Sequence, residues 1–192
     1  MNFMPPFTKM VDLATGIIPD AVLIQERYLS DMRGLYADSA AEAALAASNP
    51  LIYRVYEATT NQDEHGQLRY STTVIEPGKV GDEYFMTKGH YHARGECAEL
   101  YFGLAGEGVL ILQTPAGEVS IQRMTPGAAS YVPPYWGHRT INTGGVPFVF
   151  FACYPAEAGY DYGAIAESGF ASLIVERGGA MQAIPNPRFA RK

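Results

Sequence analysis

Between Leu51 and Pro155 short apolar runs alternate with turn residues at intervals of roughly 8–12 residues. The runs are Leu51–Ala58, Arg69–Glu76, Glu83–Met86, Glu99–Leu104, Gly108–Gln113, Val119–Met124, Ala129–Val132 and Val146–Tyr154. Asn61–Gly66, Pro77-Gly78, Ala105-Gly106-Glu107 and Gln113–Glu118 punctuate them as turns. Many short strands at even spacing predict a β-sandwich or barrel. The 20 Gly and 13 Pro are scattered rather than clustered, as such turns require, and 13 Tyr with 9 Phe favour strands.

The flanks read differently. Residues 1–50 form an arm, in which Ser39–Ser48 is rich in Ala and Glu and predicts a short helix ended by Asn49-Pro50. Leu29-Ser30-Asp31-Met32 reads as a turn. Residues 156–192 form an extension, with one more strand at Leu173–Glu176 and an extended end from Pro185 to Lys192. A length of 192 residues argues for one domain, 1–192, with 51–155 as its core. Apolar residues at 47% support a sizeable core, and 18% charged residues exclude a disordered or coiled-coil chain.

The net charge of -6 gives no global attraction for nucleic acid or an anionic membrane. No stretch approaches ~20 apolar residues, so no membrane span is expected. The start, Met-Asn-Phe-Met-Pro-Pro, lacks the pattern of a signal peptide. Two Cys, Cys97 and Cys153, are too few for a disulfide framework. Cytoplasm is the expected compartment.

Three of the four His fall in two short motifs, and His65, in a polar loop, reads as a solvated bystander. In His90-Tyr91-His92 the alternation of strand side chains puts both imidazoles on one face. Glu99 follows seven residues after His92 and shares its face with Tyr101 and Gly103. His138 follows a Pro-rich turn and is a candidate fourth ligand. Imidazoles with a carboxylate suit Fe, Mn, Zn, Ni or Co. Cys97 has the parity to face such an ion, but a small buried filler is the simpler reading, and Cys153 reads as core. Tyr135 and Trp136 read as packing at the barrel mouth.

These motifs resemble those of the cupin superfamily. The first cupin motif is matched by His90-x-His92, six residues, Glu99, six residues and Gly106. Its His-to-Glu gap is longer than the general pattern, which Glu96 would satisfy. Glu99 is preferred because Glu99–Gly108 reads as the strand and hairpin that follow the cupin Glu. The second motif is matched by Gly127, Pro133, Gly137-His138 and Asn142, with Tyr135 where the pattern has Gly. The resemblance implies an all-β fold: a cupin jelly-roll barrel, or double-stranded β-helix, with an N-terminal arm and short helices.

The wording around the motifs resembles one cupin family, the archaeal-type glucose-6-phosphate isomerases. It rests on Thr15-Gly16-Ile17-Ile18, Leu29–Met32, Pro77-Gly78-Lys79-Val80-Gly81, Thr87-Lys88-Gly89-His90-x-His92-Ala93, Tyr131-Val132-Pro133-Pro134-Tyr135-Trp136, His138-Arg139-Thr140 and Tyr154-Pro155-Ala156, and it spans roughly residues 10–170. It implies a homodimer interconverting glucose 6-phosphate and fructose 6-phosphate. One divalent ion per chain, Fe2+ foremost, with Mn2+, Ni2+, Co2+ or Zn2+ as alternatives, is implied on His90, His92, Glu99 and His138. Family contacts to the sugar phosphate map onto Tyr53, Thr73, Thr87, Gly89, Tyr101, Tyr154 and Tyr162. Tyr160 stands where the family has His before Asp-Tyr-Gly; if that His binds phosphate, a neutral Tyr would weaken the contact or hand it to Lys88 or Arg94. Glu99 is the acid the motif places for taking a C2 proton; the alternative is that it only ligates and the metal directs a hydride shift that needs no strong base. The rival readings are a cupin dioxygenase and a sugar-phosphate-binding cupin without activity.

Overall fold

The computed structural model describes residues 5–59 and 65–189. Of the loop expected at Asn61–Gly66, residues 61–64 lie outside the described residues, as do 190–192 of the expected extended end. Thirteen strands carry the described chain: β1 (Leu23–Tyr28), β2 (Leu51–Glu57), β3 (Leu68–Ile75), β4 (Lys79–Val80), β5 (Glu83–Tyr84), β6 (Glu99–Ala105), β7 (Gly108–Gln113), β8 (Val119–Met124), β9 (Ala129–Val132), β10 (Gly137–Asn142), β11 (Phe148–Pro155), β12 (Ser172–Arg177) and β13 (Ala180–Pro185). Two short helices, α1 (Ser39–Leu45) and α2 (Gly163–Ser168), complete it.

The strands form a six-stranded sheet in the order β1-β2-β3-β11-β6-β9, a three-stranded sheet β10-β7-β8, and a four-stranded sheet β13-β12-β5-β4. Every strand pairing is antiparallel. Single bridges from Met86 to Ile141 and from His90 to His138 connect the chain between the layers. The result is the expected cupin barrel, all-β apart from its short helices. No helix is long and apolar enough to cross a membrane among the described residues.

The alternation of β6 builds the inner wall: Glu99, Tyr101 and Gly103 are buried while Leu100 and Phe102 face outward. Ile52, Ile75, Leu110, Met124 and Phe148 fill the core with no measurable exposure. Burial of each such side chain contributes roughly 1.5–3 kcal/mol. The β6–β7 hairpin requires Gly106, whose φ is +69° and where a Cβ would stand 2.3 Å from the Pro147 carbonyl oxygen.

Within the arm, Leu23–Tyr28 pairs along β2 as an edge strand. Three sequence expectations need correction. The helix stops at Leu45, three residues before Ser48; the Ser48 hydroxyl donates to the Leu45 carbonyl at 2.9 Å and closes a turn there. Its start is held by the Asp38 carboxylate, which accepts the Ala41 N–H at 2.9 Å. The chain after Pro185 turns at Asn186, whose side-chain N–H donates to the Phe170 carbonyl at 2.7 Å, rather than running on extended. Cys153 is half-buried on the outer face of β11, not in the core.

Candidate active site

One main-chain bridge starts the site. The N–H of each of His90 and His138 donates to the carbonyl of the other, at 3.1 and 3.0 Å, so the two imidazoles lie side by side with ring centres 4.4 Å apart. Alternation along the chain then brings His92 to the same side, its ring 5.2 Å from that of His138. The six residues after His92 form a turn in which the Cys97 N–H donates to the Arg94 carbonyl at 3.0 Å. That turn returns the chain to β6 with Glu99 facing inward, which is what the longer gap accomplishes. Glu96 lies on the turn's exposed side, paired with Arg94 at 3.2 Å.

The four candidate ligand atoms of His90, His92, Glu99 and His138 lie within 4.8 Å of one another. Glu99 Oε2 is 3.1 Å from His92 Nε2 and 3.0 Å from His138 Nε2. The other ring nitrogens face main-chain carbonyls: His92 Nδ1 that of Cys97 at 2.9 Å, His138 Nδ1 that of Trp136 at 3.3 Å. With Nδ1–H donated to a carbonyl, a neutral imidazole presents only a lone pair at Nε2. Lone pairs facing a carboxylate oxygen at 3 Å repel unless a cation or proton lies between them. His90 Nε2 is buried and has no hydrogen-bond partner among the described residues. A buried orphan nitrogen beside two further imidazoles that converge on a carboxylate fits a divalent metal ion. Cys97 is not among these ligands and packs against Tyr154 and Ala158.

Burial alone would raise the Glu99 carboxyl, but the hydrogen bonds to His138 and His92 and the neighbouring imidazole charge outweigh it and hold the pKa at about 2. Burial, reinforced by His138, pulls His90 well below the usual histidine range.

A cavity of about 120 Å3 opens beside the cluster. Tyr53, Thr73, Thr87, Gly89, Tyr101, Tyr154, Tyr160 and Tyr162 all line it, together with His90, Glu99 and His138. His92 stands behind them, against a second cleft on the other side. Gly89 has φ of +71°, and a Cβ there would meet Phe170, the Arg139 Cβ and the His138 carbonyl at 2.9–3.0 Å, so no side chain intrudes on this corner of the cavity. Burial raises the Tyr53 and Tyr160 hydroxyls to about 12 and raises Tyr101 and Tyr154 further, so all four are neutral hydroxyls at neutral pH.

Tyr160 is fixed by a 2.6 Å hydrogen bond to the Tyr154 hydroxyl, and its ring stands edge-on to His90 at 4.8 Å. Of the two cations expected near it, Lys88 lines the cavity. Arg94 does not; it lies on the outer surface between Glu96 and Glu157. Arg27 takes the place of that expectation. It reaches the cavity from β1, opposite Tyr53 in register, beside Gln25, which accepts its N–H at 2.9 Å. No carboxylate lies within 4.0 Å of Arg27 or Lys88 among the described residues. Glu57 and Ser71 are further lining residues without a motif to announce them; only their inward parity on β2 and β3 could have pointed to them. His65 is exposed, as expected, but pairs with Glu157 at 2.8 Å.

The family model described as Glucose-6-phosphate isomerase (GPI) matches residues 26–188. The chain belongs to the glucose-6-phosphate isomerase family. A glucose-6-phosphate isomerase of Thermococcus gammatolerans is 50% identical over 99% of this chain and 100% of its own length. That of Pyrococcus furiosus is 46% identical over 98% and 100%, and a putative glucose-6-phosphate isomerase of Rhizobium meliloti 40% over 93% and 85%. Among solved structures, oxalate decarboxylase of Lactobacillus farciminis matches 57% of this chain and 30% of its own at 18% identity, with a TM-score of 0.43. A likeness that partial says nothing of activity. The isomerase family's motifs and the cavity just described fall in the same stretch of chain.

Proposed function

We propose that this chain is a metal-dependent glucose-6-phosphate isomerase. The observation that carries the reading is a four-ligand cluster opening onto a cavity whose lining also presents two cations, Arg27 and Lys88, without carboxylate partners among the described residues. An anionic phosphate suits these cations despite the overall charge of -6. Arg27 and Lys88 supply charge there, Thr73, Thr87 and Tyr53 supply hydroxyls, and the Gly89 main chain allows close approach. His90, His92, Glu99 and His138 would hold one divalent ion per chain, Fe2+ foremost, with Mn2+, Ni2+, Co2+ or Zn2+ compatible with the same donors. When bound, such an ion supplies a Lewis acid that draws electron density from the sugar's C1 and C2 oxygens.

Glu99 is the proposed base: it takes the C2 proton of the aldose and delivers it to C1 of the enediol, while the O2 hydroxyl proton passes to O1 to complete the ketose. Tyr101 and Tyr154, neutral and lining the same wall, orient the sugar oxygens. Ligation favours a second path, because a carboxylate that would be engaged by an ion, with His92 and His138 at 3.1 and 3.0 Å, is a poorer base for a carbon acid. Direct transfer of hydrogen with its electron pair from C2 to C1 needs no strong base at carbon; only the O2 hydroxyl proton has to pass to O1. Turnover in deuterium oxide separates the two: deuterium in the product supports Glu99 as base, and complete retention of substrate hydrogen supports direct transfer.

The assay that tests the activity itself couples fructose 6-phosphate to glucose 6-phosphate formation, after chelation and after adding back each of the five ions. Activity lost on chelation and restored by an ion is expected; none with any ion rejects the reading. We further propose a cytoplasmic homodimer. Two free thiols favour a reducing compartment, and an apolar outer sheet face favours a second copy.

A further inference from the structure

The cavity is lined by a second carboxylate that the proposed chemistry does not use. Glu57 closes β2, and its Oε2 lies 3.2 Å from Nη2 of Arg69 on β3. Both residues are almost wholly inside the protein, at 4% and 6% exposure. Burying two charges is costly, and apolar residues of the same size would hold the strands at least as well. The pair is also incompletely bonded: Glu57 Oε2 and Arg69 Nε have no hydrogen-bond partner among the described residues. Strand packing therefore leaves its chemistry unexplained.

Its position supplies a reason. Arg27 stands opposite Tyr53, and Glu57 lies four residues further along β2 on the same face. Four residues of strand span roughly 13 Å. The cavity thus has a cationic end around Arg27 and an acidic end around Glu57, whose main-chain positions are set four strand residues apart. Glu57 is braced at the acidic end. The Arg69 guanidinium lies over the Tyr154 ring at 5.7 Å, and the Tyr154 hydroxyl bonds that of Tyr160 at 2.6 Å. Ser71, opposite Glu57 in register, lines the cavity beside it.

We infer that Glu57, braced by Arg69, is a specificity-determining residue that accepts hydrogen bonds from sugar hydroxyls at the end of the substrate remote from phosphate. This rests on the isomerase reading for the substrate class and adds to it a residue that no motif names. A buried carboxylate rewards a ligand that brings hydroxyl donors and penalises one that leaves it unpaired. Shorter phosphates that reach only the cationic end never meet it.

Calorimetric titration of the full chain with D-glucitol 6-phosphate and with glycerol 3-phosphate tests this. Glu57→Gln is expected to weaken the six-carbon ligand roughly ten- to hundredfold and to leave the three-carbon ligand unchanged. The double variant Glu57→Gln/Arg69→Met removes the unpaired guanidinium and keeps the measurement available if the single variant does not fold. It too is expected to lose the six-carbon ligand selectively. If Glu57 merely neutralises Arg69, the double variant binds glucitol 6-phosphate like wild type, and the inference is overturned. Equal loss of both ligands in folded variants overturns it as well. Wild-type protein that holds glycerol 3-phosphate but not glucitol 6-phosphate removes the isomerase reading, and this inference with it. Wild-type and Glu57→Gln protein holding both ligands alike removes this inference alone.

Discussion

At His92 two contacts divide the labour of one ring. Nδ1 faces the Cys97 carbonyl, which fixes the tautomer, and Nε2 faces Glu99. His92→Ala is expected to abolish both metal retention and isomerase turnover, measured as metal content by mass spectrometry and by the coupled assay. A fully active variant would show the ligand assignment to be wrong. Ligation by imidazole also requires the neutral ring, so protons compete with the ion. Burial keeps His90 neutral to lower pH than a free imidazole and the ion itself competes with protons, so metal is expected to stay bound through dialysis at neutral pH and to be lost only as the pH falls well below the ordinary histidine range near ~6.5. Metal content that never falls on acidification of the folded protein would argue against three histidine ligands.

The segment between β5 and His90 gains its shape from β10. Arg139 donates two hydrogen bonds to the Lys88 carbonyl, at 2.7 and 3.2 Å, and its guanidinium lies over Phe170 at 4.8 Å. Thr87 and Thr140 exchange main-chain and hydroxyl hydrogen bonds beside it. Burial lowers the Arg139 pKa to about 10, which still leaves it charged at neutral pH. Arg139→Lys keeps the charge and loses the fork that spans both bonds. The expected result is a loss of about 1–3 kcal/mol in stability and a raised KM with kcat little changed. Thermal unfolding and steady-state kinetics read the two effects; an unchanged KM would mean that Lys88 and Gly89 do not depend on this brace. Such a brace was not legible in the sequence, and neither was β10. All six residues of β10 are buried, so the two-residue alternation that reveals β6 is missing. β1 escaped notice for the opposite reason: an exposed edge strand shows no inward stripe, yet it delivers Arg27. The four proposed ligands were legible because motif order and turn residues constrain them together. Glu57 was not, since its partner Arg69 is local only in the folded sheet.

At the level of the whole molecule, the six-stranded sheet has an outer face that the chain covers only in part. The arm seals one portion: Ile18 is buried against Val74, Tyr56 and Val149, and the Thr72 hydroxyl donates to the Gly16 carbonyl. Beyond it, cross-strand register sets Tyr70, Cys153, Leu100 and Tyr131 in one row and Phe151 beside Phe102 in the next. Leu100, Phe102 and Tyr131 are 44%, 39% and 59% exposed. A contiguous apolar patch of this kind on a sheet is suited to a two-fold interface with an identical copy. Phe102→Asp is therefore expected to convert a dimer into a monomer in size-exclusion chromatography with light scattering. Met181→Asp, on β13 in a different sheet, is expected to leave the dimer intact. The same interface would shield Cys153, so its thiol should react faster with a soluble thiol reagent in the Phe102→Asp protein than in wild type. A monomeric wild type, or equal thiol reactivity in both proteins, would tell against this face. The inner side of β6 carries Glu99 and Tyr101, so a copy docked on its outer side would stiffen the strand that positions the proposed base. Loss of the dimer is accordingly expected to lower kcat as well as thermal stability.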